Sequence, residues 1–148
     1  MGRMEQRVSF VTLAVRDLAA SRRFYVDGLG WRPEFEDPDE VVMFRAGPLL
    51  VLALWDRAHF EAEVGATAQS GPGVVPMTLS HNVAERATVD AVLSAARAAG
   101  ATEVSEGTAR EWGGYTGYFA DPDGFRWEVA WNPGPIGQSV LPGGGDPV

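Results

Sequence analysis

The sequence predicts an α+β fold built from two successive βαβββ modules. Three observations carry this. The order strand, helix, strand, strand, strand occurs twice along the 148 residues. A run of small residues, Gly65 to Gly73 (GATAQSGPG), separates the two occurrences and is the best internal boundary. The second occurrence closes on a hairpin, Tyr118 to Trp131, whose Asp121-Pro122-Asp123-Gly124 turn joins two aromatic and β-branched flanks. In such a turn Pro fixes φ, Asp bonds to its own backbone and Gly takes the positive φ.

Composition bounds the rest. Hydrophobic residues make up 45% and charged residues 22%, an ordinary globular balance. A module of about 60 residues has a poor core alone, so the pair reads as one domain over 1–132, with module one at 8–64, the linker at 65–73 and module two at 74–132. The segment 133–148 is a Pro/Gly-rich tail, expected on the surface or on a partner subunit. There is no cysteine, which excludes disulfides, thiolate metal ligands and a cysteine nucleophile. The net charge of −8 repels phosphate backbones, so nucleic acid is not an expected partner. No apolar run approaches the ~20 residues that span a bilayer, and the N-terminus lacks a charged-then-apolar signal. The expectation is a cytoplasmic protein with no membrane partner.

The elements follow in order. Val8 to Val15 reads as a strand, with Val11, Leu13 and Val15 on one face and Phe10, Thr12 and Ala14 on the other. Asp17 is a suitable N-cap for a helix from Leu18 to about Asp27 that buries Leu18, Phe24 and Tyr25 and stops at Gly28-Leu29-Gly30. Strands are expected at Trp31–Phe35, at Val41–Arg45 after an Asp37-Pro38-Asp39 turn, and at Leu49–Trp55 after Gly47-Pro48. Asp56 caps a short helix to Val64. In module two, Val75–Val83 is a strand. Glu85–Ala99 is a helix with Val89, Val92, Leu93 and Ala96 at i, i+3, i+4 and i+7, stopped by Gly100. Strands at Thr102–Ser105, Gly114–Ala120 and Phe125–Trp131 complete it.

Two βαβββ modules, an opening Thr12-Leu13-Ala14-Val15-Arg16-Asp17-Leu18 followed by Ser21 and Phe24-Tyr25, then Gly28-Leu29-Gly30-Trp31, and a closing Asp121-Pro122-Asp123-Gly124 with Trp127-Glu128-Val129: this ordered set resembles the vicinal oxygen chelate superfamily. That group holds glyoxalase I, bleomycin- and fosfomycin-resistance proteins and extradiol dioxygenases. The resemblance covers about residues 8–132. It implies that the two modules form a cupped mixed β-sheet with helices outside, a ligand site in the cup, and a homodimer. It also implies metal ligands on inward-facing strand positions. Carried onto this sequence, those positions fall on Phe10, Leu52, Thr78 and Glu128. Only Glu128 is a ligand type, and the neighbours Ser9, Val11, Val51, Ala53, Met77 and Leu79 supply no second one. A divalent cation wants several oxygen or imidazole ligands. The expected site therefore has no cofactor, a divalent metal being the alternative.

By strand alternation the cup is lined by Phe10, Thr12, Ala14, Leu50, Leu52, Leu54, Thr78, Ser80, Asn82, Arg126, Glu128 and Ala130. Apolar walls with a few convergent polar groups suit a small-molecule ligand, to be held by Phe10, Thr12, Leu52, Leu54, Thr78, Ser80, Asn82, Arg126 and Glu128. Trp55, Trp112 and Tyr115 are placed in or near loops at the mouth, with hydrophobic core or dimer interface as the other reading. Glu128 has three readings. It is an undersupplied metal ligand, a catalytic acid–base group whose pKa an apolar surrounding raises, or a structural charge paired with Arg126, Arg45 or Arg110. Three functions follow: a glyoxalase/bleomycin-resistance-like protein binding an apolar or aromatic small molecule without a metal, a glyoxalase-like lyase or isomerase using Glu128 with or without a divalent metal, or a divergent member with no ligand, kept for assembly. His59 is read as exposed and His81 as a core histidine on the helix-facing side of its strand. No Ser-His-Asp order, phosphate loop or nucleotide fingerprint is present.

Overall fold

The computed structural model describes residues 2–143. The chain divides at Gly71 into two compact units, within the small-residue linker. In the first unit, β1 (Phe10–Val15) runs into α1 (Leu18–Arg22) through Asp17. The Asp17 carboxylate accepts the Ala20 N–H at 3.0 Å, a side-chain N-cap. From Arg23 to Gly28 the helix widens into a π-helical turn. Phe24 and Tyr25 are buried there.

Trp31 does not open a strand. Its ring packs on Tyr25 (5.6 Å) and Phe44 (5.4 Å) in the core, and Pro33, which has no N–H to give a ladder, follows it. The strand forms beyond, as β2 (Phe35–Asp37). β3 (Val41–Gly47) and β4 (Leu50–Asp56) complete a sheet in the order β1-β4-β3-β2. β1 lies parallel to β4, and the other pairs are antiparallel. Asp56 accepts the His59 N–H at 3.2 Å and caps α2 (Arg57–Val64), which ends at Gly65 with φ +79°.

The second unit repeats the pattern. β5 (Thr78–Asn82) leads to α3 (Arg86–Ala99), then to β6 (Glu103–Val104), β7 (Thr108–Ala109), β8 (Tyr115–Ala120) and β9 (Arg126–Trp131). The sheet order is β5-β9-β8-β6, with the short β7 also on β8. Again the first strand is parallel to the last. β5 is shorter than expected because Pro76 precedes it. α3 buries Val89, Leu93 and Ala96 against β8 and β9. At Gly117 of β8 a Cβ would stand 2.3 Å from Leu93 Cδ1, so the helix approaches the strand where no side chain intervenes. The tail holds one element that the sequence did not announce, α4 (Pro135–Ser139). The Gln138 side-chain amide donates to the Asn132 carbonyl at 2.8 Å. The tail beyond residue 143 lies outside the described residues.

Both units are thus mixed sheets with one face under the helix that follows the first strand, α1 in the first and α3 in the second, an α+β fold in two βαβββ repeats. In the first unit the helix-covered face carries Leu13, Val42, Phe44, Leu52 and Leu54, all buried. In the second it carries Gly117, Phe119, Trp127 and Val129. The opposite face of the second sheet carries Thr78, Ser80, Asn82, Arg126 and Glu128.

Candidate functional site

The closing hairpin places Glu128. Asp121 is fully buried, and one of its oxygens accepts the N–H groups of Asp123 and Phe125, each at 2.9 Å. Gly124 takes φ +87°. With the turn fixed in this way, Ala120 pairs with Arg126 and Tyr118 with Glu128. On the other side of β9, Thr78, Ser80 and Asn82 pair with Arg126, Glu128 and Ala130. Directly paired residues share a face. Thr78, Ser80, Asn82, Arg126 and Glu128 therefore stand together, on the face away from α3.

Glu128 is held by two hydroxyls. The Tyr118 hydroxyl donates to Oε2 at 2.7 Å, and the Ser80 hydroxyl donates to Oε1 at 3.2 Å. The hydrogen bond to Glu128, with burial and the nearby negative charge adding to it, holds the Tyr118 phenol above its ordinary pKa. Among the described residues no arginine pairs with Glu128. Arg126 pairs with Glu103 (2.7 Å), Arg45 with Glu34 (2.9 Å), and Arg110 donates to Thr116 Oγ1 (2.7 Å). The arginine pairing expected as one reading of Glu128 is thus replaced by a carboxylate between two hydroxyls. Tyr118 was missed, although counting outward from the turn finds it: the residue as far before the Asp121–Phe125 loop as Glu128 is beyond it is Tyr118.

In the first unit the register corrects the expectation for β4. Phe10, Thr12 and Ala14 pair with Val51, Ala53 and Trp55, and these pair in turn with Arg45, Met43 and Val41. Leu52 and Leu54 lie on the helix-covered face, 2% and 0% exposed, and are core residues. Leu50 belongs to the same alternate set and sits beside a register shift at Arg45–Gly47. The reason is that Leu49 to Trp55 is apolar throughout. An unbroken apolar run has no alternation to fix its phase, and an error of one residue exchanges the faces.

The face that β1 and β4 do share has an open cavity of about 330 Å³. Phe10, Thr12, Met43, Ala53 and Trp55 line it, and Glu40 and Glu63 add two carboxylates. Trp55 is the penultimate residue of β4, next to the start of α2. Its indole N–H donates to Glu40 Oε1 at 3.4 Å, and its ring meets Phe60 edge-on at 6.1 Å. Phe10 is 52% exposed, an apolar surface open at the cavity.

The remaining candidates lie elsewhere. Tyr115 is on the α3 side of β8, where its hydroxyl donates to Asp90 Oδ1 at 2.7 Å and Arg86 stacks over its ring at 5.6 Å. The Trp112 ring folds over Gly114, where a Cβ would meet it at 2.0 Å. His59 is exposed and bonds Asp56 at 2.8 Å, which holds the imidazole above its ordinary pKa. His81 lies on the helix-facing side of β5, beside Val129, as expected; burial lowers its imidazole pKa, although the residue keeps contact with solvent. Among the described residues no three His, Cys, Asp or Glu side chains converge as a metal-ligand set.

A model of the Glyoxalase/Bleomycin resistance protein/Dioxygenase superfamily matches residues 7–129. The chain belongs to this superfamily. Solved structures of the superfamily share its fold. A glyoxalase-related enzyme from Fulvimarina pelagi is 39% identical, covering 87% of this chain and 90% of its own, with a TM-score of 0.79. A glyoxalase/bleomycin resistance protein/dioxygenase from Nocardioides is 27% identical, covering 89% and 87%, with a TM-score of 0.74. A lactoylglutathione lyase from Agrobacterium tumefaciens has a TM-score of 0.64 over 88% and 96%, but at 24% identity it speaks for the fold alone. No match was found among curated proteins. No helix in the described part of this superfamily member is long and apolar enough to cross a membrane.

Proposed function

We propose that this superfamily member binds an apolar or aromatic small molecule, without a metal, as a cytoplasmic homodimer. The observation that carries the binding reading is the cavity on the β1–β4 face, with Phe10, Met43 and Trp55 as apolar surface. Apolar concavities with a few placed polar groups are the usual form of such sites. The metal-free reading is supported by the donor set: Glu128 is accompanied by two neutral hydroxyls, and hydroxyls are poor substitutes for the imidazoles and carboxylates a divalent cation selects. The experiment is a thermal-shift and tryptophan-fluorescence screen of purified protein against aromatic and aliphatic compounds. Saturable binding that Thr12→Trp abolishes is expected; no response to any compound would remove the reading.

A second reading is favoured by the Tyr118–Glu128–Ser80 group. A carboxylate with its oxygens oriented by two hydroxyls can serve as the proton acceptor of a glyoxalase-like lyase or isomerase. Conversion of a 2-oxoaldehyde thiol adduct, lost in Glu128→Gln, would replace the binding reading with this one.

A further inference from the structure

The cavity on the β1–β4 face is apolar in its walls but acidic at two points, and no lysine or arginine lines it. Glu40 accepts a hydrogen bond from the Trp55 indole, which sets its carboxylate beside the largest aromatic surface of the cavity. Glu63 comes from α2 and makes no ion pair or hydrogen bond among the described residues. Three arginines of this unit are engaged away from the cavity: Arg45 with Glu34, Arg22 with Glu36, and Arg57 with the Ala68 carbonyl. The negative field reaches beyond the cavity. After its direct bond to Asp56, the His59 imidazole is raised further by Glu40 and Asp37.

A ligand entering this cavity removes water from the two carboxylates. An ionised carboxylate only accepts hydrogen bonds, and desolvating it without a partner is costly. A neutral ligand leaves that cost in place, and an anion adds repulsion. A cation offsets it, and its charge is further attracted by the faces of Trp55 and Phe10, tryptophan being the strongest aromatic partner of this kind. We propose that the cavity selects organic cations: an amine or quaternary ammonium carried on an apolar or aromatic body, with the body on Phe10, Met43 and Trp55 and the charge answered by Glu40 and Glu63. This rests on the binding reading above and adds the ligand's charge class. The whole-chain net charge of −8 acts in the same direction, by raising the local concentration of cations.

The test uses three compounds of one shape: 2-(2-naphthyl)ethylamine, protonated at pH 7, the neutral 2-(2-naphthyl)ethanol, and 2-naphthylacetate. Affinities are measured by calorimetry on the full chain. The amine should bind about tenfold more tightly than the alcohol, and the acetate most weakly. Glu40→Gln and Glu63→Gln should each weaken the amine about two- to fivefold, while the alcohol, relieved of desolvating a charge, binds no more weakly than to wild type; the melting temperature should not change, because both side chains are at least partly exposed. Salt should weaken the amine and not the alcohol. Equal affinities for amine and alcohol, or an amine affinity indifferent to both Gln variants, would overturn the charge selectivity while leaving apolar binding standing. Amine binding that survives Thr12→Trp would place it at another site and overturn the proposal. Failure of all three compounds would overturn the proposal and the binding reading together.

Discussion

Glu128 and Tyr118 form a bond whose consequences can be read by titration. The Tyr118 phenol is held protonated by the carboxylate it donates to. In Glu128→Gln the accepting charge is gone, so one tyrosine should ionise nearer the ordinary value of about 10. Absorbance at 295 nm against pH in wild type, Glu128→Gln and Tyr118→Phe will resolve it; an unchanged titration in Glu128→Gln would mean the bond does not hold in solution. The sign for stability follows. A group whose folded pKa is raised contributes stability that is fully present below its unfolded value, and loses it as pH rises through the folded value. Glu128→Gln should therefore soften the alkaline fall in stability that Tyr118 causes. At the same scale, Asp121→Ala leaves the N–H groups of Asp123 and Phe125 without their buried acceptor. Urea unfolding should show a loss of about 2–4 kcal/mol.

At the scale of elements, what the sequence disclosed depended on alternation. In β5, Thr78, Ser80 and Asn82 alternate with Leu79 and His81, and the polar strip beside Glu128 was legible from that pattern and is present in the sheet. In β4 every residue from Leu50 to Trp55 is apolar, so nothing local fixed its phase, and Leu52 and Leu54 were assigned to the wrong face. Only the pairing of Val11 with Leu52 and Thr12 with Ala53 settles it. Glu40 and Glu63 were invisible for a different reason: one stands in a turn, the other on a helix, and only tertiary packing brings them to one cavity. The corrected faces make opposite predictions for two apolar residues. Leu52→Ala, a core truncation, should cost about 2–5 kcal/mol. Phe10→Ala, at an exposed site, should change stability by no more than about 0.5 kcal/mol while weakening ligand binding. Equal stability losses in denaturant titrations would contradict the register.

At the scale of the whole chain, the two units can be compared position by position, because each has its first strand parallel to its last. Taking the third residue of each first strand and following its pairing across the sheet, Ser80 corresponds to Thr12, Glu128 to Ala53 and Tyr118 to Met43. The hydroxyl on the first strand persists. The carboxylate on the last strand is present in one unit and replaced by a methyl group in the other, where the cavity opens over Thr12, Met43 and Ala53. The repeat was legible in the order of elements; its divergence was not, since it depends on which residues pair. This divergence bears on the metal. Neither repeat holds more than one carboxylate in this set: Glu128 stands with Ser80 and Tyr118, and its counterpart Ala53 with Thr12 and Met43. One carboxylate holds a divalent cation too weakly to resist dialysis, because affinity in such sites is built from several charged or imidazole donors. Protein purified without chelator should carry well under one equivalent of zinc, nickel, manganese or iron by elemental analysis. Adding each ion at about tenfold excess should leave the melting temperature unchanged, since a ligand that binds only the native state must raise it. One equivalent of tightly held metal that Glu128→Ala removes would show that ligands reach Glu128 from outside the set identified here, and the metal-free reading would fall with it.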